Sequence, residues 1–340
     1  MKLFRNDYSE LAHPRILEAL ARFQNEQNTP YGLDYHSLNA EKKIKEVFNS
    51  KDGKVYFLAG GTQTNVLFIS SVLKHYEGVI CASSGHINVH ETAALEGQGY
   101  KIIQVEGKDG KVYPSDIEKV MHLYENEHMV KPRLVYISNS TEIGTIYSKE
   151  ELIALHNICK KYDLYLFIDG ARLGSALTSK DNDVEASLLG EICDAFYVGG
   201  TKNGLLLGEA LVVNNPKLQE DYRYHIKNKG AMLAKGYVVG IEFEEAFKDN
   251  LYFDLARHTN MMADLLKEGL HQLGLKLSYS PTNQVFVTIS KEKANILMDR
   301  YGCEKWEEYD NDMTIRFVTS FLTTKEDVDE LINYVSTFVA

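Results

Sequence analysis

Little in this sequence interrupts it. Only six prolines fall in 340 residues. No linker rich in Pro, Gly or Ser, no internal repeat and no low-complexity tract breaks the chain, so composition marks no domain boundary. Cysteine is equally sparse. Cys81, Cys159, Cys193 and Cys303 lie far apart with no CxxC pair, which argues against a disulfide framework or a zinc site and for buried reduced thiols. Positive charge is in deficit: a formal charge of −11 leaves no basic patch for a phosphate backbone, so nucleic acid is not the expected partner. No apolar run approaches the roughly 18 residues that span a bilayer. MKLFRNDYSELAHP is broken by Arg5, Asp7 and Glu10 where a secretory segment would be apolar. The expectation is a cytoplasmic globular protein without membrane contact.

What is present is alternation. KVYFLAGG (54–61), EGVICASS (77–84), KIIQVEG (101–107), RLVYISNS (133–140), LYLFIDGA (164–171), DAFYVGGTKN (194–203) and EALVVNN (209–215) read as strands. Helical periodicity separates several of them, at TNVLFISSVLKHY (64–76), NVHETAALEGQG (88–99), SDIEKVMHLYENEH (115–128) and KEELIALHNICKKYD (149–163). Such order predicts an α/β fold, a largely parallel sheet with helices on both faces. From about 251 the texture changes to a long helix (251–273), strand-like QVFVTI (284–289) and MTIRFVTSF (313–321), and a last helix at 325–340. Since 340 residues exceed what one core usually supports, a large domain over 14–250 and a smaller α+β domain over 1–13 plus 251–340 are expected.

Four segments carry chemistry. In AFYVGGTKNGLLLG (195–208) an apolar strand runs into Lys202 between glycines. That placement suits a lysine that forms a Schiff base, with desolvation lowering its pKa; a solvated turn lysine is the plainer reading. LYLFIDGARLG puts Asp169 at the carboxyl end of a buried strand, where open α/β sheets bind ligands. A carboxylate there can pair with the pyridine nitrogen of pyridoxal phosphate (PLP), and Arg172 can meet a substrate carboxylate; a helix N-cap and a surface ion pair are the alternatives. FLAGGTQTN (57–65) is a glycine turn into a helix, where the N–H groups of Gly61, Thr62 and Gln63 form an anion site. In SSGHINVHETAALEG (83–97), His86 follows a strand and could stack on a pyridine face. His86 and His90 have metal-ligand spacing, but HExxH is missing and no third ligand suggests itself, so no metal is expected. His90 and Glu91 read as a solvated helix face.

Together these segments resemble the threonine aldolase branch of the fold-type-I PLP enzymes, the β-eliminating lyase family. NDYSELAHP, YGLDYH (31–36), KGAMLAKG (229–236) and IRFVTSF (315–321) extend the resemblance over nearly the whole chain. It implies the PLP-dependent transferase-like fold of the aspartate aminotransferase type. It also implies a Schiff base at Lys202, Asp169 on the pyridine nitrogen, His86 on the ring, and the phosphate at Gly61, Thr62 and Gln63. Arg172, Arg316 and Asn6 would hold the substrate carboxylate. The implied assembly is a homodimer or a homotetramer, with YGLDYH shared between subunits. The implied reaction is aldol cleavage of threonine or allo-threonine to glycine and acetaldehyde. β-Elimination from serine-like or aromatic amino acids is the alternative reaction, and a non-catalytic PLP-binding protein the alternative class.

The chain departs from the family at three places. Asn6 stands where serine is common, Thr141 where many members have a histidine, and Lys229 and Lys235 where a loop carries arginine. Glu142, beside the missing histidine, could act on the β-hydroxyl. Protonated it would favour elimination, and ionised it would favour aldol cleavage.

Overall fold

Seven short strands carry residues 54–213 of the computed structural model, which describes residues 3–339. Positions 1, 2 and 340, at the ends of the segments assigned to the smaller domain, lie outside the described residues. The strands are β1 (Lys54–Leu58), β2 (Glu77–Ala82), β3 (Lys101–Val105), β4 (Lys131–Ser138), β5 (Tyr165–Asp169), β6 (Ala195–Gly199) and β7 (Glu209–Val213). They form one sheet in the order β1-β7-β6-β5-β4-β2-β3. Along β4, Val135 and Ile137 join one hydrophobic cluster, whereas Leu134 and Tyr136 join another. Both faces are therefore dry, as a helix-covered sheet requires.

The five strands from β3 to β6 pair in parallel, but β7 runs antiparallel to both β6 and β1. The loop 200–208 is too short for a parallel crossover, so the chain reverses there. Lys202 sits in that reversal. Crowding ends β6 at Gly199, earlier than 203: a Cβ at Gly199 would meet the Ala171 carbonyl oxygen at 2.3 Å, and one at Gly200 the Gly208 oxygen at 2.6 Å.

The helix expected over 88–99 does not form. A single turn, His86–Val89, is followed by Thr92 and Ala93 at φ +49° and +56° and a short 3-10 turn, Glu96–Gln98. Two consecutive left-handed residues cannot continue a right-handed helix. The break drops Glu91 inward, so the expectation of a solvated Glu91 is corrected: its side chain is fully buried.

A second sheet contains β8 (Lys276–Leu277), β9 (Gln284–Ser290), β10 (Glu304–Glu308) and β11 (Asp312–Val318), all antiparallel, in the order β10-β11-β9-β8. It has its own core, built with the 22-residue helix Leu251–Gln272 and the final helix Lys325–Val339. Phe4 belongs to that core, and the Val318 N–H donates to its carbonyl at 2.9 Å. His13 N–H reaches back to Gly204 O at 2.8 Å, so residues 4–13 lace the second sheet to the Lys202 loop.

Candidate active site

The site grows from strand parity. Residues i and i+2 of a strand share a face, so Asp169 lies on the same side of β5 as Phe167. The β4 register sets Tyr136 beside Phe167, and the β6 register continues to place Tyr197 beside Asp169. Both tyrosines donate to the carboxylate: Tyr136 Oη to Oδ2 at 2.6 Å, and Tyr197 Oη to Oδ1. Asn65 Nδ2 adds a bond to Oδ2 at 2.9 Å, and the Ala171 N–H one to Oδ1 at 3.0 Å. Burial pushes the Asp169 carboxyl up. The nearby His86 and these donors outweigh it, leaving its pKa below the ordinary value. Asp169 is not the N-cap of the helix that follows, which is Arg172; its bond to Ala171 N–H closes the turn before that helix.

Above this floor opens a cavity of about 450 Å³. Lys202, His86, Arg172 and Arg316 all line it, brought together from four distant segments. Burial, then the Arg172 charge, hold the Lys202 ammonium below the usual lysine range. Asp7, Asp169 and Glu209 pull the other way without cancelling the effect. Tyr8 lies over Lys202, with Nζ 5.8 Å from the ring centre. Glu209, which opposes Gly199 in the sheet, accepts from Gly200 N–H at 3.0 Å, and burial pushes its pKa up to about 8.

His86 is anchored rather than free. Its Nδ1 lies 2.8 Å from Glu91 Oε1, and that same oxygen accepts from Asn65 Nδ2 at 2.7 Å. A carboxylate accepts, so Nδ1 carries a hydrogen, and in the neutral ring Nε2 is the acceptor. Asn65 therefore bridges the carboxylates of Glu91 and Asp169. His86 N–H donates to Glu142 Oε1 at 2.9 Å, and Ser138 Oγ to the same oxygen at 2.6 Å. Burial raises the Glu142 carboxyl above its ordinary pKa.

Gly61, Thr62 and Gln63 begin a twelve-residue helix whose N-cap, Gly60, supplies no capping side chain. They do not line the cavity itself. A Cβ on Gly61 would stand 3.1 Å from Tyr197 Oη, the hydroxyl that meets Asp169. Gln63 Oε1 turns back to accept from Ala59 N–H at 3.1 Å, and Thr62 is exposed.

The two arginines are both engaged. Arg172 Nε and Nη2 donate to Asp7 at 2.7 and 3.0 Å, a buried fork that Asn283 Nδ2 reinforces at 2.9 Å. Arg316 Nη1 donates to Gln284 Oε1 at 3.0 Å and Nη2 to Glu304, while its guanidinium lies 5.0 Å over the Trp306 ring. Asn6 does not line the cavity. Its Oδ1 accepts from Tyr8 N–H at 3.0 Å and Ser9 Oγ at 2.8 Å, shaping the loop that carries Asp7.

Sequence reasoning passed over Glu91, Asn65, Asp7, Tyr8, Glu304 and Trp306. Asn65 and Asp7 stand inside quoted motifs, and Trp306 is the chain's one tryptophan; nothing local marked Glu304. His90, given no role, lines the cavity. Thr141 does not; it is buried and exchanges a hydroxyl bond with Thr145 at 2.7 Å. Lys229 and Lys235 are likewise outside the cavity lining. Among the described residues, no group of three or more His, Cys, Asp or Glu side chains is placed to hold a metal ion.

Known proteins resemble this chain over most of its length. The sequence pattern of the beta-eliminating lyase family matches residues 5–292. A low specificity L-threonine aldolase of Pseudomonas aeruginosa is 30% identical over 333 residues, covering 96% of this chain and 94% of that protein. The structure of a Leishmania major threonine aldolase superposes with a TM-score of 0.98 at 41% identity, covering all of both chains. An aspartate aminotransferase of Thermus thermophilus, 14% identical, shares the fold at a TM-score of 0.72 over 100% of this chain and 92% of its own.

Proposed function

The chain belongs to the beta-eliminating lyase family, and from that premise we propose that it cleaves β-hydroxy amino acids, threonine or allo-threonine, to glycine and acetaldehyde. It is a PLP-dependent lyase with the fold of the fold-type-I PLP enzymes. One observation carries the reading of the site: Lys202 lines one cavity with two guanidinium groups, and the buried Asp169, 33 positions before it, is near enough to act on its charge.

The residues present fit PLP. A buried carboxylate crowded with donors stays ionised, the state that keeps a pyridine nitrogen protonated. Tyrosine hydroxyls rotate, so Asp169 can accept from a ring N–H. The uncapped helix start at Gly61, Thr62 and Gln63 suits a phosphate, His86 offers an imidazole face, and Lys202 would hold the cofactor through Nζ. Bound there, PLP supplies an electron sink for the charge left at Cα when a bond to it breaks.

The chain's own groups do the rest. Arg316 and Arg172 orient the amino acid by its carboxylate, and Asn6 supports them by shaping the loop that carries Asp7. His86 Nε2, its partner nitrogen fixed by Glu91, takes the β-hydroxyl proton. Glu142 supports the second reaction: a carboxyl raised by burial is suited to giving a proton to a leaving hydroxyl, which is β-elimination. The finer expectations of a cytoplasmic homodimer or homotetramer are part of the proposal. Tyr31, Leu33, Tyr35 and Leu38 are 39–70% exposed around YGLDYH, apolar surface of the kind that subunits cover. Among the described residues, no helix is long and apolar enough to cross a membrane.

A substrate panel decides the reaction. Glycine from either threonine isomer, faster than ammonia from serine, is the expected result; sustained ammonia and pyruvate from serine without glycine would replace it by elimination. Borohydride should fix a pyridoxyl group to Lys202, and its appearance on Lys229 or Lys235 would overturn the lysine assignment.

A further inference from the structure

The two cavity arginines are neutralised by very different partners. Asp7, the counter-ion of Arg172, is 1% exposed and held by Asn283 as well as by both donors of the guanidinium fork. The Glu304 side chain, the counter-ion of Arg316, is 40% exposed and makes no other hydrogen bond among the described residues. It faces Arg316 directly across the β10–β11 ladder, on the edge strand of the second sheet. Its carboxylate lines the cavity.

Glu304 also leaves Arg316 incompletely paired. It meets Nη2 alone, Gln284 takes Nη1, and the buried Nε has no partner among the described residues. A buried donor left unmade is costly. A free carboxylate that met Nε and Nη2 together would satisfy it, in the bidentate geometry that guanidinium favours. The guanidinium itself is held for such an exchange. A register irregularity between Lys305 and Glu307 leaves Trp306 as the extra residue of a bulge, and its ring lies against Arg316.

We propose that Glu304 is an exchangeable counter-ion: the carboxylate of the incoming amino acid displaces it from Arg316, and it returns as the product leaves. It keeps the empty site, with Arg172, Arg316 and Lys202 on one cavity, from holding an uncompensated cation. It also raises KM, because every substrate must compete with it. The proposal rests on the reading of Arg316 as a carboxylate site.

The test is glycine binding to the PLP-loaded protein, read from the fluorescence of Trp306, the single tryptophan, and independently from KM for threonine. Glu304→Gln and Glu304→Ala should each bind glycine about five- to tenfold more tightly, lower KM alike and leave kcat no higher. In an Arg316→Ala background, Glu304→Gln should change nothing further. Unchanged or weaker glycine binding by both Glu304 variants, with Arg316→Ala weakened, would overturn the exchange and leave the carboxylate site standing. Undiminished binding by Arg316→Ala would remove that reading, and the proposal with it.

Discussion

Asp169 and Glu304 are both carboxylates of one site, and their surroundings could hardly differ more. Asp169 is 3% exposed and takes four donors from β4, β6, the helix after β1 and its own turn. Glu304 stands on an edge strand with one guanidinium for company. The floor holds its carboxylate in place and ionised, because the donors around it are carried by strand register, a buried helix and the adjoining turn. The wall leaves its carboxylate room to move. An electron sink needs a constant field, whereas a binding site must be vacated at every turnover.

Breaking the floor should therefore cost most. Asp169→Ala is expected to lower turnover on every substrate by about a hundred- to a thousandfold, the scale of losing a preorganised electrostatic partner. A single-turnover assay checks it, and an effect confined to one substrate would contradict the floor's general role. Glu91→Gln should come next, at about ten- to a hundredfold in kcat with little change in KM, since it loosens His86 without touching a carboxylate site. The pH–rate profile should shift with it; an intact profile would reduce Glu91 to a structural role.

At the wall, Arg316→Ala should weaken amino-acid binding about tenfold to a hundredfold, the worth of a charge-assisted bond, and leave PLP affinity unchanged. Equal loss of cofactor would move Arg316 to the floor. The smallest effect concerns pH. Glu209, an acid whose pKa folding raises from 4.5 to about 8, is favoured protonated in the fold. Stability should be full below 4.5 and decline as pH rises towards 8. Glu209→Gln should flatten that decline in melting curves of the PLP-free protein, and an unaltered slope would assign it elsewhere.

Much of the floor was legible. Lys202, Asp169 and the GGTQTN turn stand at strand ends, where apolar runs stop at glycine, and β5 was expected at 164–171 against an observed Tyr165–Asp169. The helix over 88–99 misled because periodicity registers apolar spacing, not the left-handed pair Thr92 and Ala93 that turns Glu91 inward. Of the wall, Arg316 was legible through IRFVTSF, and its partners were not. EKWEE alternates no apolar face, and its edge strand acquires meaning only from β11 beside it.

The sequence by itself determined most of the alternating elements, which lysine, aspartate and arginines are candidates for the chemistry, and their order along the chain. Those follow from apolar spacing, glycine at sharp turns and ionisable groups at strand ends, and for Arg316 from the resemblance to the family. Only the tertiary structure decided which counter-ion each arginine keeps, that Glu91 is buried on His86, and that Trp306 faces Arg316. Such pairings join residues up to 165 positions apart, as in Asp7 and Arg172. Sheet register and packing set them, and a one-dimensional pattern carries no distance between its parts.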